Sequence, residues 1–304
     1  MEVKESAYKD IHALEINTGN LTGLFLPKYG AKLASLKDNK TGREILAQAS
    51  GKNYKKLEYA GDYVAAECSA FDDMFPTCDK YRSDRFPWQG TELPDHGEVC
   101  GLPWKYETEY DKIHMTVFSP RFGYRMEKWI SAKDGKLIID YKAVNNTDFE
   151  LDFLYGAHCM IAAEEGAVIN TEFPVGSEAT LMFDQSGKRG KYCSPFVWKE
   201  NSGITPPSSD KSNYKIFFDK PAEEGWCTYT YRDGSRFRFC YTPDRLRYLG
   251  IWFNWGELKG LYNFAFEPCS GSHDRPDLAR KFNRYSALEP HGVFEWSISL
   301  SIEH

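Results

Sequence analysis

Glu267 ends an aromatic run, Leu261-Tyr262-Asn263-Phe264-Ala265-Phe266-Glu267, and Pro268 follows it. Taken as a strand with period two, Tyr262, Phe264 and Phe266 share one face, while Leu261, Asn263, Ala265 and Glu267 share the other. The carboxylate therefore points away from the bulky side, among small and polar neighbours that leave room beside it. Partial desolvation at such a place raises a carboxyl pKa, which makes Glu267 a candidate general base. In isolation it reads first as a strand-end glutamate in solvent, so its meaning depends on what converges on it.

Two of the seven histidines stand apart. His12 and His114 fall on the polar sides of alternating strands, His273 and His291 lie in turns, and His304 ends the sequence, so all five read as surface residues. His158 lies two residues past Gly156, on the face opposite Phe153 and Tyr155, where the missing side chain of Gly156 leaves space in front of the imidazole. His96 stands in LPDHGEV (93–99), where Pro94 fixes the approach and Gly97 permits an unusual backbone beside the ring. Either histidine alone is also compatible with a hydrogen-bonded structural role. Together with a strand-borne carboxylate they form an acid/base set, because histidine can be protonated and glutamate ionised near neutral pH. Other chemistries lack their signatures: no G-x-S-x-G elbow surrounds Ser270 or Ser272, and there is no G-x-G-x-x-G, P-loop or H-E-x-x-H run. No cofactor is expected. No metal is expected either, since His96 and Cys100 are four apart with Gly97 between them, a poor setting for a helical metal pair.

The elements that must position these groups are strands. Alternation over 149–155 puts Phe149, Leu151, Phe153 and Tyr155 on one face, and over 293–302 it opposes Phe294, Trp296, Ile298, Leu300 and Ile302 to Val293, Glu295 and three serines. The pattern recurs over 112–118, 136–144 and 235–241, with further candidates at 11–17, 20–27, 31–37, 104–110, 121–131, 167–172, 214–218, 225–231 and 248–255. Helical evidence reduces to a short piece near 276–282, with Asp274 as a cap and Pro276 in the first turn. The expected fold is all-β, one large antiparallel sandwich over residues 1–304. Two long irregular stretches interrupt it, 48–103 and 183–213; the first is read as functional and the second as peripheral.

With 304 residues, 41% hydrophobic and 15% aromatic, the chain can bury a substantial core. A net charge of −6 gives no electrostatic footprint for nucleic acid or an anionic membrane surface. The N-terminal MEVKESAYKDIHALEIN lacks the basic-then-apolar profile of a secretory signal, and no apolar run approaches a membrane span, so a soluble cytoplasmic protein is expected. The eight cysteines show no CxxC pair and read as buried thiols.

The segments FDDMFPT (71–77), LPDHGEV (93–99), YGAH (155–158), LGIW (249–252) and FAFEPCSG (264–271) resemble, in order and spacing, the landmarks of the aldose 1-epimerase (galactose mutarotase-like) superfamily, in its broader aldose 1-epimerase-like branch. The resemblance covers most of the chain. It implies a β-supersandwich holding a monosaccharide on its concave face, with Glu267 as base, His158 as acid and His96 as a second histidine at the sugar ring. The galactose mutarotases carry an Asn-Arg pair upstream of the first histidine to hold sugar hydroxyls; here that region reads CDKYRSDRFPW (78–88) and lacks it. Asp72, Asp73 and Arg82 are the alternative polar contacts and Trp252 an apolar stacking face. Equally, Phe71, Met74, Phe75 and Trp252 can be core and the charges solvated. A phosphorylated hexose would call on Arg121 with Arg125, or Arg245 with Arg247; a glycoside hydrolase would need Asp73 or Glu98 across from Glu267; a sugar-binding protein without turnover needs neither.

Overall fold

Alternation becomes two large antiparallel sheets. The computed structural model describes residues 3–109 and 111–304; Tyr110, at the end of the expected 104–110 strand, lies outside the described residues. The larger sheet has eleven strands and the smaller eight. The strands that carry or flank the candidate site residues are consecutive neighbours near the middle of the larger sheet, in the order Phe71–Met74, Gly156–Ala162, Tyr262–Cys269, Tyr248–Trp255 and Asn213–Phe218.

Burial decides which way each face turns. Phe264 and Phe266 are fully buried, with Phe264 against Tyr229 and Phe266 against Phe239, both residues of the smaller sheet. Each such ring removed from water is worth about 1.5–3 kcal/mol, so the bulky face of the Glu267 strand is driven inward between the sheets. Glu267 is left on the outer face. The same logic splits two adjacent acids: Asp72 shares the outer face with His158, its partner in register, while Asp73 turns inward to Lys128 of the smaller sheet.

Several expectations need correction. The 149–155 run is a strand only over Leu151–Phe153, paired with Ser286–Leu288, and the chain enters the large sheet at Gly156. Asp152, on its expected solvent side, is buried against Arg280 at 2.5 Å and Arg85 at 3.3 Å. The helix, Pro276–Lys281, has Pro276 in its first turn but takes no side-chain cap from Asp274. His273 is buried, its Nδ1 at 2.7 Å from Ser272 Oγ and its ring stacked on Phe282. Six of the eight thiols are buried; Cys193 is exposed and Cys240 intermediate. Among the described residues no helix is long and apolar enough to cross a membrane.

Candidate active site

Strand register brings the candidate acid/base residues together. Gly156 pairs with Cys269 and Cys159 with Phe266, which sets His158 opposite Glu267 on one face of the sheet. Directly opposed residues in an antiparallel pair hold their Cβ atoms about 4.5–5.5 Å apart. Here His158 Nδ1 lies 3.6 Å from Glu267 Oε1. That nitrogen is buried and makes no hydrogen bond.

His96 arrives from the 48–103 stretch, held by backbone and not by a strand. Glu98 N–H donates to Phe75 O at 2.8 Å and His96 N–H to Cys78 O at 3.2 Å, so the 94–98 turn docks along the segment after Phe71–Met74. Gly97 sits between these two bonds with φ of 75°, where a Cβ would meet Phe75 O at 2.3 Å. Only glycine fits there. The imidazole so presented stacks on Tyr63, ring centroids 3.7 Å apart and 8° from parallel, and stands 5.1 Å from the His158 ring. Its Nδ1 is 2.9 Å from Asp95 Oδ1, without the alignment of a hydrogen bond.

These groups line one cavity of about 300 Å³, at the small end of the range for ligand pockets. Trp252 forms part of its wall, its indole N–H donating to Asn213 Oδ1 at 2.7 Å and its ring edge-on to His158 at 5.6 Å. Met74 and Cys78 also line it. They occupy the space that Gly156 vacates, since a Cβ on Gly156 would lie 2.7 Å from each. The glycine thus admits neighbouring side chains to the cavity floor and does not leave the gap expected in front of the ring.

Among the lining residues not expected from the sequence, Lys215 and Asp274 form an ion-paired chain with Glu267. Lys215 Nζ lies 2.5 Å from Glu267 Oε2 and 2.6 Å from Asp274 Oδ1. Its signal was present, a lysine within NYKIFF (213–218), a strand whose six residues are all buried. A charge inside such a run demands a partner.

The other expected contacts fall elsewhere. Asp72 is buried behind the cavity, bound by Lys32 at 2.5 Å and by the hydroxyl of Tyr63 at 2.8 Å. Asp73 faces the inter-sheet core, accepting from Lys128 at 2.8 Å and Tyr155 Oη at 2.7 Å. Arg82 is on the surface, its side chain 71% exposed and its nearest ion-pair partner Glu92 at 4.0 Å. Glu98 is buried against Tyr59, Ser119 and Arg121. None of these four lines the cavity, and neither do Arg121, Arg125, Arg245 or Arg247. At the far loop, Phe183 and Asn213, the two ends of the 183–213 stretch, do reach it.

Electrostatics set opposite tendencies in the pair. Burial raises the Glu267 pKa above its ordinary value, and the Lys215 charge opposes that rise. Burial pushes His158 well below the ordinary histidine value, reinforced by His96 and Lys215. Asp95 is lowered: its burial works upward, but the adjacent His96 prevails. A raised carboxylate is a stronger base and a lowered imidazolium a stronger acid, the directions that suit the candidate roles of Glu267 and His158. Among the described residues no cluster of three His, Cys, Asp or Glu is arranged to hold a metal ion.

This architecture is shared with solved structures. A galactose mutarotase-like protein of Clostridium acetobutylicum superimposes with a TM-score of 0.70 at 15% identity, over 99% of this chain and 98% of that one. The chain has the galactose mutarotase-like fold. A galactose mutarotase related enzyme of Lactobacillus acidophilus matches with a TM-score of 0.70 at 12% identity, over 96% and 97% of the two chains. The Slr1438 protein of Synechocystis matches at 0.71 and 15%, over 98% of both. At such identities the likeness is one of fold. No family model and no curated protein sequence matches the chain.

Proposed function

We propose that this chain is an aldose 1-epimerase, interconverting the α and β anomers of a free monosaccharide as a single-domain enzyme. The observation that carries this reading is the juxtaposition of Glu267 and His158, 3.6 Å apart on one wall of a monosaccharide-sized cavity. Mutarotation acts on two oxygens bound to the same carbon, so its acid and base must be close neighbours. Glu267 takes the proton of the anomeric hydroxyl while His158 gives one to the ring oxygen. The ring opens, the aldehyde carbon rotates, and closure on its other face returns both protons with the anomer inverted. His96 stabilises charge on the ring oxygen in this reading, which the 5.1 Å separation of its ring from that of His158 supports. Trp252 offers an apolar face for the C–H side of the sugar.

A free sugar is favoured over a phosphosugar because each arginine proposed for a phosphate is engaged elsewhere: Arg121 with Glu98, Arg125 with Glu127, Arg245 with Asp244, and Arg247 over Tyr248. The two acids expected opposite Glu267 for hydrolysis, Asp73 and Glu98, lie outside the cavity. Polarimetry or saturation-transfer NMR on a panel of pure anomers tests the reading. Acceleration above buffer for at least one aldose is expected. Saturable binding with no acceleration for any common aldose would make the chain a sugar-binding protein instead.

A further inference from the structure

Among the described residues that line the cavity, Lys215 is the one lysine or arginine. An ammonium on a fully buried strand costs several kcal/mol unless it is paired, and Lys215 is paired twice, with Glu267 and Asp274. Its reach to Glu267 follows from the sheet. Lys215 pairs in register with Trp252, and the residue of that strand opposite Glu267 is Gly250. With no side chain at 250, the ring of Phe217 lies across the gap, where a Cβ would meet it at 2.8 Å, and the ammonium rests 5.1 Å from that ring.

We propose that Lys215 is a positioning residue of the acid/base pair, gripping Glu267 by Oε2 so that Oε1 alone faces His158 and the substrate. This rests on the epimerase reading of the site. A carboxylate with both oxygens free has two bases and two rotational choices; one charge-assisted hydrogen bond at 2.5 Å removes the ambiguity. Asp274 holds the ammonium from the other side. Burial works to lower the Lys215 pKa, but Asp274 and Glu267 together drive it well above its ordinary value. A lysine kept charged is no nucleophile, so the aldehyde of the ring-opened sugar is not trapped as an imine.

The competing role is a plain tie between the Asn213–Phe218 strand and the turn at Asp274. The two roles differ in sign. Lys215 draws the Glu267 titration down and Asp274 pushes it up, so removing them should move it in opposite directions. The full chain is labelled with carboxyl ¹³C-glutamate, the Glu267 resonance is assigned by its loss in Glu267→Gln, and its midpoint is followed by NMR. Lys215→Met is expected to raise the midpoint by more than about one pH unit, Lys215→Arg to restore it, and Asp274→Asn to lower it. Movement of both neutral variants in one direction, or of neither, overturns the proposal. If Lys215→Met does not fold, the sign of Asp274→Asn decides alone, a midpoint unchanged or raised being the overturning result. Absence of epimerase turnover in the wild type would sink the functional reading and leave this titration standing.

Discussion

Glu267 Oε1 and His158 Nδ1 face each other at 3.6 Å across adjacent antiparallel strands, and no hydrogen bond joins them. The pair is close enough to serve one carbon and its two oxygens, yet neither group is consumed by the other. Lys215 holds the second carboxylate oxygen, the His96 ring stands 5.1 Å from that of His158, and all four residues line the cavity.

Glu267→Gln and His158→Asn should each lower kcat for anomer interconversion by about 10²–10⁴, the usual contribution of a positioned acid or base. Folding should survive in both, since Lys215 retains Asp274 as a partner. The double variant should fall little below the poorer single one, because the two groups move protons in one concerted unit. Polarimetry with circular-dichroism melts checks this. Losses that multiply would mean that the residues act in separate steps and would refute the pairing.

The pH profile follows from the two directions. Catalysis needs one proton shared by the pair, and the profile is the same whichever member holds it. Glu267 is raised from an ordinary 4.5 and His158 lowered from an ordinary 6.5, so the two titrations approach or cross each other. The kcat/KM profile should therefore be bell-shaped, its two limbs being the apparent titrations of the pair. Activity falls at low pH as both groups become protonated, and at high pH as both lose their protons. A broad plateau extending above pH 8 would contradict the assignment of both limbs to this pair.

The strands were legible because burial on one face imposes period two, and Phe264 and Phe266 announce the buried side of the Glu267 strand from composition alone. That His158 should oppose Glu267 is a matter of register between segments more than a hundred residues apart, which no local pattern encodes. Asp72 and Asp73, expected together as substrate contacts, are split by that same alternation, since neighbours on a strand face opposite ways. His96 was legible through Gly97, whose positive φ is a backbone demand visible as glycine. Lys215 was hidden because a lysine in an apolar strand says only that a partner exists, and Glu267 and Asp274 are distant in sequence. Asp274 looked like a helix cap because the sequence shows its distance from Pro276 but not the lysine arriving from another strand.

Asp73 and Arg82 should separate stability from activity. Asp73→Asn leaves Lys128, only 3% exposed, without its counter-charge, and breaking such a buried pair costs about 3–5 kcal/mol. The loss should appear as a lower denaturation midpoint, while the protein that remains folded keeps its kcat/KM, because Asp73 faces the inter-sheet core. Arg82→Ala, at an exposed position, should change stability by less than about 0.5 kcal/mol and leave kinetics untouched. Urea melts and kinetics on the same samples check both; a kinetic defect in Arg82→Ala would return that residue to the substrate.

Gly97→Ala should cost both stability and activity, and the reason is local. The added methyl would sit 2.3 Å from Phe75 O in a left-handed backbone at φ of 75°, so the 94–98 turn must lift from the segment it docks on. Strain of this kind is worth about 1–3 kcal/mol. The turn is bracketed by the bonds from His96 N–H and Glu98 N–H, and lifting it carries the His96 ring off its Tyr63 stack and away from His158. Gly176→Ala supplies the control: φ is 93° there but nothing lies within 4 Å of the new methyl, so it bears the backbone strain without the collision. We expect both variants to lose some stability in urea melts and only Gly97→Ala to lose kcat beyond its unfolded fraction. Equal kinetic behaviour in the two would mean that His96 does not depend on this docking for its place at the cavity.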